Sequence, residues 1–129
     1  SNFSGQYEFP GLLAPMADFE LLRSAVTTAE SAGLTCHVGS VFTADMFYNQ
    51  STGINEKCRD LGILAIDMET AGIYWEAQAS GKRALSILTV SNHILRGEET
   101  PAEERQNAFT DMMEVALAAA WEATSSPAP

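Results

Sequence analysis

Basic residues are scarce in this sequence. Seven Lys and Arg stand against 17 Asp and Glu, for a formal net charge of −10 at pH 7 over 129 residues. Nucleic acid and anionic membrane both call for clustered Lys and Arg, so neither is an expected partner. A solvated acidic surface accounts for the charge. Cysteine is nearly absent too. Cys36 and Cys58 have no CxxC or metal-ligand spacing and read as reduced thiols of a cytoplasmic protein. No apolar run approaches the roughly 18 residues of a membrane span, and no basic, apolar, cleavable leader opens the chain. There is no HxxxH, no Cys/His cluster and no Asp pair at metal spacing, so no metal is expected. A GxSxG elbow, an obvious nucleophile and a Gly-rich phosphate loop are all missing.

What is present is a globular pattern, 46% hydrophobic and 19% charged, with enough chain for one domain and one core. The opening "SNFSGQYEFPGLLAP" is irregular, with a short strand around Tyr7. "ADFELLRSAVTTAESAG" predicts a helix capped by Asp18, with Phe19, Leu22, Val26 and Ala29 on one face and Gly33 closing it. "LTCHVGSVF" predicts a strand over Thr35–Phe42. "TADMFYNQSTG" is a loop, and "INEKCRDLG" a short helix closed by Gly62. "ILAID" (Ile63–Asp67) and "ALSILTV" (Ala84–Val90) are nearly continuous apolar strands, as expected where helices cover both faces. Between them "METAGIYWEAQASG" is a helix ending at Gly81. After the loop "NHILRGEE" comes a long last helix, with Thr100 as N-cap, Pro101 at its first position and Glu103 completing a capping box. Its Ala116, Ala119 and Ala120 allow close packing. Residues 123–129 read as a disordered tail.

This alternation predicts an α/β fold, a three-layer sandwich with a mainly parallel sheet flanked by helices. The predicted domain organisation is one domain over residues 1–129. Three confident strands are few for a doubly wound sheet, so the fold is expected to be partial.

Ligands of open parallel sheets sit outside the carboxyl ends of the strands. "FTADMFYN", "DMETAGIY" and "SNHILRGEE" arrive there, a mix suited to an uncharged ligand with hydroxyls and a flat ring. Phe47 or Tyr48 is placed to stack on a ring, Met68 to pack on an apolar face, and Glu69 to accept hydrogen bonds from a vicinal diol. Each has a plainer reading. The aromatics and Met68 also suit a core, and Glu69 suits a helix start as a dipole partner. His93, alone past a strand end, reads as structural.

The segments "HVGSVFTADMFYN", "GILAIDMETAGIY", "LTVSNHI" and "TPAEERQNAFTDMMEVAL" together resemble the C-terminal half of the hexameric, bacterial-type purine nucleoside phosphorylases, in the nucleoside phosphorylase/uridine phosphorylase superfamily. The likeness covers residues 14–122. Related uridine phosphorylases and methylthioadenosine nucleosidases share a similar "E-M-E" strand end but not the whole string. The resemblance implies phosphorolysis of purine (deoxy)ribonucleosides to base and (deoxy)ribose 1-phosphate. Phosphate is the co-substrate, no cofactor is involved, and the protein is a homo-oligomer. By position, Met68 matches the methionine under the ribose and Glu69 the glutamate that binds the ribose hydroxyls. Phe47 matches the aromatic on the purine, and Ile66 an aliphatic beside it. Ser91 and Asn92 match a Ser-Asp pair at the base, and Arg105 the arginine that moves toward that aspartate on closure. The family's aspartate protonates purine N7 as the glycosidic bond breaks.

Two departures follow. Asn92 stands where the family has its acid; an amide donates a hydrogen bond but cannot act as a general acid. The family's N-terminal half, with its phosphate loop and further arginines, has no counterpart, and "PGLL" at Pro10–Leu13 looks inserted. The chain is therefore expected to be active only when combined with that half. Two alternatives stay open: a catalytically inactive remnant that binds a purine nucleoside or only self-associates, and a hydrolytic nucleosidase.

Overall fold

The computed structural model describes residues 3–11, 13–46 and 53–125. They form two compact units, one of residues 1–17 and 39–84, the other of 18–38 and 85–129. Among the described residues no helix is long and apolar enough to cross a membrane.

The first unit is built on a βαβ crossover. Strand β1 (Val41–Thr43) lies parallel to β2 (Ala65–Asp67), with Val41 opposite Ala65 and Thr43 opposite Asp67. Bonds from the Leu64 amide to the Ser40 carbonyl (2.9 Å) and from the Ala44 amide to the Asp67 carbonyl (2.8 Å) extend the ladder at its two ends. Parallel strands need such a crossover, here carrying helix α3 (Ile54–Asp60). Helix α4 (Thr70–Ala79) follows β2 and buries Thr70, Tyr74 and Trp75. The amino-terminal stretch holds a one-turn helix α1 (Phe3–Gln6) where a strand around Tyr7 was expected. Its aromatic content explains the difference. Tyr7 stacks on Trp75 at 5.5 Å between ring centroids, Phe9 meets the same ring edge-on at 6.4 Å, and the Tyr7 hydroxyl donates to Glu76 at 2.7 Å. Side-chain stacking, rather than a ladder, anchors this segment. The hydrogen bond to Glu76 pushes the Tyr7 phenol pKa up.

The second unit is a helix pair. Helix α2 (Phe19–Ser31) is capped by Asp18, whose carboxylate accepts from the Leu21 amide at 2.9 Å, as the sequence predicts. Helix α5 (Ala102–Ser125) packs against it. Ala25 and Ala29 meet Val115 and Ala119, with Leu34, Leu85 and Ile87 packed around them. Of the predicted α2 face, Ala29 is buried, Leu22 and Val26 are half-buried and Phe19 is exposed; Ala25, outside that face, joins Ala29 in the contact. Small residues let two helix axes approach closely. The expected disordered tail is corrected in part. Helix α5 continues to Ser125, and Ala123 is buried because it continues the Val115–Ala119 face at four-residue spacing. Residues 126–129 lie outside the described residues.

Two further expectations change. Residues 84–90 form no ladder among the described residues. Leu85 and Ile87 turn toward the α2–α5 cluster while Leu88 and Val90 stay exposed. The alternation of a strand is there, but only one face is covered and no neighbouring strand completes it. The "NHILRGEE" loop holds an antiparallel pair, β3 (Asn92–His93) against β4 (Glu98–Glu99), turned by Gly97 at φ 66°. Helix α5 then starts at Ala102, and the Thr100 hydroxyl donates back to the Val90 carbonyl at 3.4 Å.

The class is α/β, as the sequence predicts, with a small parallel sheet and helices in and after its crossover.

Candidate functional site

The chemistry gathers at the carboxyl end of the parallel pair, where β2 gives way to α4 within two residues, Met68 and Glu69. Ile66 is half-buried in β2, while Met68 and Glu69 are exposed, Met68 to 40%. What fixes them lies on either side.

Asp67 is the anchor. Its Oδ1 accepts the Thr43 hydroxyl proton at 2.8 Å; its Oδ2 accepts the Thr70 amide at 2.8 Å and the Thr70 hydroxyl. The Thr43 oxygen in turn accepts the Ala71 amide at 3.0 Å. Helix α4 opens without a side-chain cap from Glu69, the residue just before it. Asp67 does that work from two residues further back, since its carboxylate takes an orphan amide of the first turn. Burial acts to raise the Asp67 pKa, but hydrogen bonds from Thr70 and Thr43, with the Thr70 and Glu69 amides, outweigh it and hold the carboxyl below its ordinary 3.8.

Glu69 differs. Its carboxylate accepts the neighbouring Met68 amide over a long 3.3 Å bond, and the residue is exposed just before a ten-residue helix. An exposed carboxylate there is favoured by the helix dipole and keeps acceptor sites for an incoming donor.

Of the other expected site residues, Ser91, half-buried, and Asn92, exposed, belong to the second unit. The Ser91 carbonyl accepts the Thr100 amide at 3.0 Å, and Asn92 pairs with Glu99 across the β3–β4 ladder. Arg105 falls in the first turn of α5. Phe47 and Tyr48 lie outside the described residues. Thr43 and Thr70 were not expected at the site. The nearest signal is a hydroxyl residue closing each of the segments "VFT" and "DMET", but their meeting depends on the register of β1 against β2. Among the described residues no group of three or more His, Cys, Asp or Glu could hold a metal ion.

A parallel strand end, a helix start and an exposed acid between them are features of a ligand-binding α/β protein. The chain belongs to the phosphorylase superfamily, whose family model matches residues 2–125. It is 57% identical over 104 residues to a purine nucleoside phosphorylase DeoD-type of Bacillus subtilis (strain 168), a match covering 81% of this chain and 44% of the relative. It is likewise 57% identical over 107 residues to the protein of that name from Geobacillus kaustophilus, covering 83% and 45%. With a purine nucleoside phosphorylase DeoD-type 2 of Vibrio cholerae it shares 54% over 104 residues. The chain thus spans less than half the length of the curated relatives it matches.

Proposed function

We propose that this chain carries the nucleoside-binding half of a purine nucleoside phosphorylase, and that it supports phosphorolysis when combined with the phosphate-binding half of such a protein. One observation carries the reading: the exposed Glu69 beside Met68 at the end of a parallel strand, in a chain 57% identical to a DeoD-type relative. In this reading Glu69 accepts hydrogen bonds from the ribose hydroxyls and Met68 packs beneath the sugar. Ile66 and Phe47 lie at the base, and Ser91, Asn92 and Arg105 act at purine N7. Breaking the C–N bond places positive charge on the sugar and negative charge on the purine. Asn92 relieves the latter by a hydrogen bond rather than by proton transfer, which favours 6-oxopurines, whose anion delocalises onto O6. Phosphate is the second substrate, bound by the other half, and the setting is the cytoplasm. Residues 1–129 are read as the C-terminal part of a single phosphorylase domain.

The chain is also expected to self-associate or to pair with a phosphate-binding half. Phe109, Met113, Leu117 and Trp121 repeat every four residues along α5 and are exposed, Trp121 to 75%. On the other unladdered stretch, Leu88 and Val90 are open too. Apolar surface of that extent marks an interface.

The test is release of hypoxanthine from inosine by this chain mixed with the N-terminal half of the Bacillus subtilis relative. Expected is phosphate-dependent release from the mixture, none from either half alone, and a loss of at least about tenfold with Glu69→Gln, the scale of a hydrogen bond to a charged group. A mixture that binds inosine but releases no base would establish the second reading, an inactive nucleoside-binding remnant, which the exposed Asn92 amide favours.

A further inference from the structure

Resting on the nucleoside reading of Glu69, we propose that Thr43 and Asp67 are positioning residues, a brace that holds the Met68–Glu69 link in the geometry a sugar diol needs. Three elements meet in the brace: Thr43 ends β1, Asp67 ends β2, and Thr70 and Ala71 begin α4. The link between them is two residues long, so both its ends are pinned.

The brace has a definite polarity. A threonine hydroxyl has one proton. Thr43 gives it to Asp67 Oδ1 at 2.8 Å, which leaves its lone pairs for the Ala71 amide at 3.0 Å. Asp67 Oδ2 is occupied by the Thr70 amide at 2.8 Å and the Thr70 hydroxyl. The Asp67 backbone carbonyl is also taken, by the Ala44 amide at 2.8 Å. Both carboxylate oxygens of Asp67 are therefore committed inside the fold. Of the two acids on this strand end, only Glu69 has acceptor capacity left for a ligand.

Recognition of two adjacent hydroxyls tolerates about 0.5 Å of misplacement. Met68 and Glu69 are exposed, Met68 to 40%. The brace fixes the backbone on both sides of them. Valine has threonine's shape but neither donates nor accepts, so Thr43→Val would free the Ala71 amide and Asp67 Oδ1 together. Serine keeps both bonds.

Backbone 15N relaxation of the whole chain tests this without a ligand. In the parent and in Thr43→Ser, the Met68 and Glu69 amides should show order parameters near 0.85, and in Thr43→Val they should fall below about 0.6. The amides of Ala29 and Ala119 should stay unchanged as the control for folding. If Thr43→Val does not fold, Asp67→Asn replaces it, since the amide nitrogen cannot accept one of the two sets of donors. Met68 and Glu69 as ordered in the folded variant as in the parent would overturn the proposal.

An inosine titration then separates the two claims. Thr43→Val should weaken inosine binding by about tenfold in the parent background and leave it unchanged in Glu69→Gln. An equal loss in both backgrounds would overturn positioning through Glu69. If the parent does not bind inosine, or Glu69→Gln binds it as the parent does, the nucleoside reading fails. The relaxation result alone then decides the brace.

Discussion

Asp67 and Glu69 stand two positions apart and have opposite roles. The first spends both oxygens inside the protein; the second keeps its own for the surface. The difference is testable through pH. Because the folded-state pKa of Asp67 is lowered, its ionised form contributes stability that is fully present above the unfolded value. That contribution is lost as pH falls through the folded one. Asp67→Asn should therefore be less stable than the parent at neutral pH, with the gap closing below about pH 4, near the reference carboxylate pKa. Circular-dichroism melts across pH 2–7 read this directly, the window spanning that pKa. A gap that does not change with pH would mean that the carboxylate charge contributes nothing. How far these roles are legible in the sequence differs by residue. Glu69 and Met68 can be picked out because they interrupt an apolar strand. Asp67 can be read as a strand-end support by the same logic. Thr43 cannot, because its partner is 24 positions away and only strand register brings the two together.

At the scale of elements, punctuation was the most readable signal. Helices α2, α3 and α4 all end in the same way. The amides of Gly33, Gly62 and Gly81 bond the carbonyls of Glu30, Arg59 and Gln78, and the following residues reach back to Ala29, Cys58 and Ala77. This paired pattern needs a left-handed residue, and Gly62 has φ 70°. A methyl group there would meet nothing within 4 Å, so only the backbone conformation resists it. Gly62→Ala should thus cost about 1 kcal/mol, the low end of the left-handed penalty, and Gly62→Asn less. Chemical denaturation of the three proteins ranks them, and equal midpoints would sink the argument. Strands were less readable for a physical reason. An apolar run such as residues 84–90 becomes a strand only with a partner on at least one edge, and sequence does not say whether that partner is in the same chain. The same limit produced the missed β3–β4 pair, whose two-residue strands carry no alternation to detect.

For the whole molecule, two terms oppose each other. The exposed Phe109–Trp121 stripe favours association, while a net charge of −10 disfavours it. Salt separates them, because the screening length falls from about 10 Å at 0.1 M to about 3 Å at 1 M. Light scattering at tens of micromolar, on the order of a common association range, should show a mass above the monomer that rises with salt. Leu117→Glu combined with Trp121→Glu should lower it toward the monomer at every salt concentration. A parent that stays monomeric throughout would show that the stripe drives no self-association.

The Thr43–Asp67 bond also has a consequence in time. Its two ends are joined only after 24 residues of chain have been drawn into the crossover, and α3 lies inside that loop. Closing such a loop costs entropy before any of its bonds form. The brace around Met68 and Glu69 therefore takes its shape only once that crossover has closed, and loses it when the crossover opens.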